Sequence, residues 1–171
     1  MDIAIENVIP MEFKADFDNS IRLYNGCYDE VPFIVKDLRK VFDDRVGTVL
    51  DTCHAMMTAY YLDKLAVLAD NFGEEGILPM KYTLDHYFSM NKGICKLIHF
   101  CDFDDNGYRK NHGVTFSDID KVKYLLSLYK KYDYTCGLTL EIREDNYLNC
   151  QNYLKTKKLI TESLKLLFDQ Q

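Results

Sequence analysis

Short apolar runs alternate with longer segments of helical periodicity along the 171-residue chain. Four of these runs have the length of β-strands, and each ends in a residue that can bind a metal ion. The runs cover residues 2–6, 46–51, 94–99 and 137–141, and they end in Glu6, Asp51, His99 and Glu141. Because the carboxyl ends of parallel strands meet at one edge of a sheet, we expect these four residues to form a single site there.

The segments between the runs predict helices and loops. Apolar side chains at helical spacing predict helices over residues 31–42, 59–72, 83–91, 117–131 and 146–168. Ser117 is predicted to cap the fourth helix. Polar stretches with glycines predict loops over residues 9–29 and 104–115. Strand and helix alternate four times without a linker or repeat, so we expect one α/β domain of four βα units over residues 1–171.

Side-chain alternation along the strands indicates which face of the sheet carries the site. Counted back from the four end residues, their own face carries mostly small residues: Ala4, Gly47, Val49, Cys95, Leu97, Gly137 and Thr139. The other face carries bulky aliphatic residues: Ile3, Ile5, Leu50, Ile94, Ile98, Leu138 and Leu140. This difference favours a barrel interior beneath the site with helices packed outside, although a flat doubly wound sheet fits the same pattern.

Composition narrows the class of protein. A net charge of −6 weighs against binding to a nucleic-acid backbone, so nucleic acid is not an expected partner. The apolar stretches are too short to cross a bilayer, and the first residues, Met1 to Ile3, do not begin a secretory signal. The 6 cysteines lack zinc-finger or C-x-x-C spacing. We therefore expect a cytoplasmic protein with free thiols.

Two glutamates, one aspartate and one histidine make an oxygen-rich ligand set with a single imidazole. Such a set suits one divalent cation, Mn²⁺ in the first place, with Co²⁺, Mg²⁺ or Zn²⁺ as alternatives. Taken singly, either glutamate also fits a strand end bonded to a loop, Asp51 fits a helix cap, and His99 fits a buried core histidine. Their recurrence at four strand ends favours the shared site.

Further polar residues follow two of these strand ends. His54, three positions after Asp51, is expected either to complete a second metal position or to bond a substrate hydroxyl group. Arg109 and His112, which are predicted to bind the substrate, lie in the glycine-flanked loop after His99. This loop is expected either to be a mobile lid or to be an ordinary solvated loop.

Four segments resemble, in their order along the chain, the second half of the xylose-isomerase-like TIM barrels; they are residues 6–7, 50–55, 98–102 and 139–143. That superfamily includes sugar isomerases and epimerases of the tagatose 3-epimerase type, inosose dehydratases and the endonuclease IV group of apurinic-site nucleases. The resemblance implies that Glu6, Asp51, His99 and Glu141 hold the metal, that the two glutamates also transfer protons, and that His54 contacts a small sugar or sugar derivative.

The chain departs from this family in three respects. A full barrel has eight βα units and about 250 residues, whereas four units are predicted here. The epimerases place a substrate-binding arginine shortly after the metal-binding histidine, and here the nearest arginine is Arg109, while Asp105 lies six positions after His99. In the nucleases an acid precedes the histidine that matches His112 by two positions, and here that residue is Lys110.

Three functions follow as alternatives. The first is a divalent-metal-dependent sugar isomerase or epimerase, and the second is a zinc-dependent apurinic-site nuclease. The third is an inactive or split half-barrel. Four βα units leave two open sheet edges, so we expect the chain to associate with itself or with an N-terminal half-barrel partner.

Overall fold

A computed structural model describes residues 2–8, 30–59, 84–104, 111–116 and 118–168. The strands are β1 (Ile3–Glu6), β2 (Val46–Asp51), β3 (Cys95–Phe100), β4 (Asp102–Asp104), β5 (Asn111–Val114) and β6 (Gly137–Leu140). The helices are α1 (Glu30–Phe42), α2 (described over residues 52–59), α3 (Leu84–Asn91), α4 (Ile119–Lys131) and α5 (Gln151–Phe168). A short 3₁₀ turn, Asp43–Arg45, joins α1 to β2.

The main sheet has four strands in the order β1-β2-β3-β6, and each neighbouring pair is parallel. The register staggers the strand ends: Asp51 is paired to His99, Glu6 is paired to Val49, two residues before Asp51, and His99 is paired to Thr139, two residues before Glu141. Strands β4 and β5 form a separate antiparallel hairpin after β3. The predicted α/β class, with four parallel strands and helices in a half-barrel-like arrangement, is confirmed.

The main hydrophobic core lies between the sheet and helices α3 and α4. It includes Leu50, Ile98 and Phe100 from the strands, Tyr87 and Phe88 from α3, and Val122, Leu125, Leu126 and Leu128 from α4. Burying each large apolar side chain contributes about 1.5–3 kcal/mol, so this cluster contributes the most packing energy among the described residues. A smaller cluster joins Val31 and Val35 of α1 to Val46 and Ile94. Within the described ranges, none of the helices is long and apolar enough to span a membrane.

An extra residue in β3 changes the predicted facing of one side chain. Thr48 pairs with Cys95 but Val49 pairs with Leu97, so the register shifts at Lys96. Cys95 therefore shares the face of Thr48 and packs against the main core. The prediction that Cys95 lies on the site face is wrong, because the extra residue of a β-bulge shifts the alternation of side chains by one position.

Several element boundaries also differ from the sequence prediction. Helix α2 begins at Thr52, directly after β2, and not at Ala59, while residues 60–72 lie outside the described ranges. The loop predicted over residues 104–115 contains the last residue of β4 and all of β5, whose short polar strands carry no alternating signal. The N-cap of α4 is Asp118, whose side chain accepts a hydrogen bond from the Asp120 N–H, and not Ser117.

Helix α5 begins at Gln151, five residues later than predicted from the apolar pattern. Cys150 has a φ of +49°, which ends the preceding turn in a left-handed conformation. The Glu144 carboxylate accepts hydrogen bonds from the N–H groups of Asn152 at 3.0 Å and Tyr153 at 2.6 Å. These bonds satisfy N–H groups of the first helical turn that have no partner within the helix. They therefore favour a helix that begins at Gln151, with Glu144 outside it.

Candidate metal centre

The four predicted end residues converge at the carboxyl edge of the parallel sheet. Glu6, Asp51, His99 and Glu141 each offer one ligand atom, and these atoms all lie within 4.8 Å of one another. In a flat sheet the outer strands β1 and β6 would be three spacings apart, about 14 Å. The convergence of their side chains therefore requires a curved sheet whose concave face carries the site.

His99 lies at the middle of this group. Its Nδ1 atom is 2.9 Å from Glu141 Oε2, 3.1 Å from Glu6 Oε1 and 3.8 Å from Asp51 Oδ2. Glu6 reaches the imidazole from the β1 side of the sheet, and Glu141 reaches it from the β6 side. The two carboxylates therefore meet at one ring nitrogen, although their strands lie on opposite sides of β3.

Exposure increases from the base of the group to its rim. The Asp51 side chain is 0% exposed and that of His99 is 22% exposed, against 33% for Glu6 and 46% for Glu141. A buried carboxylate is costly unless charge or hydrogen bonds compensate it. The two glutamates are therefore the members of the group that a molecule arriving from solvent meets first.

The two oxygens of Asp51 have different partners. Oδ1 accepts a hydrogen bond from the His54 N–H at 2.7 Å, which is the geometry of an N-cap at the start of α2. Oδ2 lies 3.5 Å from Cys101 Sγ and faces the His99 ring. Helix capping and metal ligation, treated as alternatives for this residue in the sequence, are compatible because each uses one oxygen.

Residues beside the four ligand candidates tie the strand ends together. The Asn7 side chain bonds the main chain of Asp51, donating to its carbonyl oxygen at 3.1 Å and accepting from its N–H at 2.8 Å. Thr52 Oγ1 donates to the Cys101 carbonyl oxygen at 2.8 Å and accepts from the Cys101 N–H at 3.1 Å. Sequence reasoning missed both roles, although a polar residue directly after Glu6 and another directly after Asp51 were a usable signal.

The hairpin β4-β5 contacts the chain at the end of β6, next to Glu141. The Arg143 N–H donates to the Gly113 carbonyl oxygen at 2.6 Å. Gly113 has a φ of +74°, and a Cβ atom at this position would lie 3.1 Å from the Glu141 carbonyl oxygen. Only glycine combines a positive φ with this close approach to the Glu141 main chain without strain. The position of Glu141 therefore depends on the hairpin.

Of the three predicted substrate-binding residues, the structure describes the side chain of His54. His54 Nδ1 lies 2.8 Å from the Asn7 carbonyl oxygen, 3.7 Å from Asp51 Oδ1 and 3.8 Å from Glu6 Oε1. A carbonyl oxygen only accepts, so Nδ1 carries the proton and Nε2 is the acceptor atom of the ring. Arg109 and the side chain of His112 lie outside the described part of the chain.

Cys101 and Cys53 make a second group with the Asp51 carboxylate, and all three side chains are buried. A hydrogen bond with Cys53, burial and the Asp51 charge together raise the pKa of the Cys101 thiol. The thiol therefore keeps its proton and can donate it to Asp51 Oδ2. This contact supports the carboxylate from below.

The residues present fit a divalent cation. Three carboxylates and one imidazole are donors that Mn²⁺ and similar ions accept. Two ligand atoms of one ion bonded at about 2.1 Å lie at most about 4.2 Å apart, close to the 4.8 Å limit that encloses this set. Small side-chain rotations would close the difference, and a cation would relieve the repulsion among the carboxylates.

No family model, curated protein or solved structure matches this chain. The function proposed below therefore rests on the geometry of the four strand-end residues and their neighbours.

Proposed function

We propose that this protein is a divalent-metal-dependent isomerase or epimerase of a small sugar or sugar derivative. The observation that carries the proposal is the convergence of Glu6, Asp51, His99 and Glu141 within 4.8 Å at one sheet edge. The resemblance of the strand-end segments to xylose-isomerase-like barrels supports the same function. A cytoplasmic location is part of the proposal and rests on the sequence.

A cation held by these four side chains would polarise a ketose carbonyl group next to the carbon that exchanges its proton. The chain itself supplies the proton carriers. One glutamate carboxylate removes the proton from that carbon, and the other returns a proton to its opposite face, which inverts the centre. Glu6 and Glu141 suit these roles because their strands lie on opposite sides of β3 and they are the most exposed members of the group.

His54 would hold the substrate in register with the two glutamates. Its Nδ1 is fixed by the Asn7 carbonyl oxygen, so Nε2 can accept a hydrogen bond from a sugar hydroxyl group. The acidic net charge of −6 weighs against the zinc-dependent nuclease, which has to bind a nucleic-acid backbone.

Metal binding is tested by titrating Mn²⁺ into the wild-type protein and Glu141→Gln by calorimetry. We expect one ion per chain and an affinity at least about ten-fold weaker in Glu141→Gln. Asp145→Asn is the matched control, since Asp145 is an exposed acid four positions away, and its affinity should stay within about two-fold. Equal affinity in all three proteins would remove the proposed centre.

Catalysis is tested separately by incubating the protein with a panel of ketoses in D₂O. Deuterium appearing at the carbon next to the carbonyl, detected by NMR, is the expected product of proton transfer. At saturating Mn²⁺, Glu6→Gln and Glu141→Gln should each lose this exchange. Cleavage of abasic DNA by the zinc-loaded protein, with no ketose exchange, would support the nuclease and contradict the isomerase.

We also propose that a second half-barrel covers the concave face, either another copy of this chain or a separate N-terminal half. In the described sheet β1 and β6 are each paired on one side, and Ala4 and Thr139 of the site face are exposed. Sedimentation of the purified chain tests self-association. A monomer that binds Mn²⁺ and exchanges deuterium without any partner would contradict this part of the proposal.

A further inference from the structure

Two cysteine side chains meet at the end of the sheet opposite the candidate metal centre. Cys95 is the first residue of β3, and Cys136 directly precedes β6. Their Sγ atoms are 3.9 Å apart. The two residues stand two and one positions before Leu97 and Gly137, which are partners in the parallel register. A disulfide bond is about 2.05 Å long, so side-chain rotation has to close a gap of about 2 Å between adjacent strands.

The environment gives the two thiols different chemical characters. Both side chains are partly exposed, so a small oxidant can reach them. Contact with Cys95 lowers the pKa of the Cys136 thiol. Contact with Cys136, together with burial, raises the pKa of the Cys95 thiol. Because the thiolate is the nucleophile in sulfur oxidation, these directions favour Cys136 as the first sulfur to react and Cys95 as the second.

A buried hydroxyl group lies on the strand next to Cys95. Thr48 is paired with Cys95 in the register of β2 and β3, and its side chain is fully buried. Thr48 Oγ1 has no hydrogen-bond partner among the described residues. A buried hydroxyl without a partner is uncommon, and here it can donate to the Cys95 sulfur once that sulfur has lost its proton.

We propose that Cys95 and Cys136 are a peroxide-oxidised dithiol that closes to a disulfide between β3 and β6. The Cys136 thiolate attacks hydrogen peroxide, an S–O bond forms, the O–O bond breaks, and the hydroxide that leaves is protonated to water. Cys95 then attacks the sulfenic sulfur, the S–S bond forms, the S–O bond breaks, and hydroxide leaves as water with the Cys95 proton. The two thiols lose two electrons, which the peroxide gains.

The bond would fasten an edge strand to the centre of the sheet. β6 has β3 as its neighbour in the described sheet, and its first three residues are exposed. A cross-link at the start of β6 limits the opening of this strand, so the oxidised protein should melt at a higher temperature, by roughly 5–10 °C. Peroxide-driven, reversible disulfides of this kind are known in reducing compartments. The proposal does not depend on metal binding.

The test treats the full chain with hydrogen peroxide and maps its peptides by mass spectrometry without reduction. A Cys95–Cys136 linked peptide is expected in the wild type and in Cys150→Ser, a control that removes a partly exposed thiol elsewhere. In Cys95→Ser, whose hydroxyl group can still donate to the Cys136 sulfur, Cys136 should stop at sulfenic acid, which dimedone traps. In Cys136→Ser, Cys95 should remain a thiol.

Two outcomes overturn the proposal. The first is a wild-type protein in which Cys150 is oxidised while Cys95 and Cys136 stay unlinked. The second is a melting temperature that hydrogen peroxide raises equally in the wild type and in the Cys95→Ser/Cys136→Ser double variant. Should a variant fail to fold, iodoacetamide labelling of the native wild type still decides. Cys136 must react before the fully buried Cys53 and Cys101, and equal labelling rates would contradict its assigned reactivity.

Discussion

The Asn7 carboxamide holds the main chain of Asp51 from both sides. Nδ2 donates to the Asp51 carbonyl oxygen at 3.1 Å, and Oδ1 accepts from the Asp51 N–H at 2.8 Å. The Asn7 N–H in turn bonds the Val49 carbonyl oxygen at 3.4 Å. One side chain thus continues the pairing of β1 with β2 beyond the last residue of β1. The position of a buried carboxylate depends on a residue that is not itself a ligand candidate.

Replacing Asn7 with alanine should therefore weaken both the fold and the site. The two main-chain groups of Asp51 lose their partners in a buried position, which costs about 1–3 kcal/mol of unfolding free energy. Residues that orient a ligand typically change metal affinity by about ten-fold or more. Urea unfolding and Mn²⁺ calorimetry measure the two effects. Asn149→Ala, at an exposed position, should change neither, and an Asn7→Ala protein with wild-type affinity would show that Asn7 does not position Asp51.

Gly113 and Gly93 form a matched pair for testing the hairpin behind Glu141. Both have a φ of +74°, but a Cβ at Gly93 meets no atom within 4 Å, whereas one at Gly113 lies 3.1 Å from the Glu141 carbonyl oxygen. Alanine at either position should cost about 1–2 kcal/mol of backbone strain. Gly113→Ala should lose more stability than Gly93→Ala and should also weaken Mn²⁺ binding. Equal effects of the two substitutions on Mn²⁺ binding would show that the hairpin does not position Glu141.

Gly47 is predicted to tolerate no side chain, because of the bulge in β3. A Cβ there would overlap Lys96 Cγ and approach the Ile94 carbonyl oxygen to 2.7 Å. Gly47→Ala should therefore destabilise the fold by about 1–3 kcal/mol. Lys96→Ala in the same chain should restore only part of this loss, since the main-chain contact remains. Gly137→Ala is the control, because its Cβ would meet Leu97 Cδ1 at an ordinary 3.6 Å.

Asp85 should make stability depend on pH in the acid range. Its carboxylate accepts hydrogen bonds from Lys131 Nζ at 2.6 Å and from Tyr132 Oη at 2.9 Å. The bond from Lys131 is the main cause that lowers the pKa of Asp85 below its ordinary value of 3.8. A carboxyl group whose pKa is lowered by folding stabilises the fold at pH values above its pKa in the unfolded chain. That contribution is lost as the pH falls through its pKa in the folded chain.

The comparison of wild type with Asp85→Asn measures this contribution. The difference in melting temperature should be largest above pH 3.8 and should shrink as the pH falls further. Added salt should reduce it, since the ion pair is partly exposed. Asp37→Asn removes a more exposed ion pair with Lys40, and its difference from wild type should be smaller. A difference for Asp85→Asn that grows with acid would contradict the assigned direction.

The sequence was informative where a signal is local. Strand-length runs ending in Glu6, Asp51, His99 and Glu141 were enough to expect their meeting, because parallel strands leave no other place for their ends. Helix α1 follows its apolar stripe to within one residue of the predicted start. These features depend on side chains a few positions apart along one segment.

Features that depend on contacts between segments could not be predicted in the same way. The bulge at Lys96 exists only as a relation between β2 and β3, so no count along β3 contains it. The hairpin β4-β5 is held by pairing and not by an alternating apolar pattern. The Asn7 bonds to Asp51 join residues 44 positions apart, and the type of residue alone does not name its partner.

The candidate ligands come from the ends of the four strands of the sheet, and the first and last are 135 positions apart in the sequence. A chain with any one strand unpaired would present at most three of them. An ion bound by all four would therefore select molecules in which the whole sheet has formed, and would stabilise them in proportion to its free concentration. Metal uptake by this protein would then count correctly folded chains, without any measurement of activity.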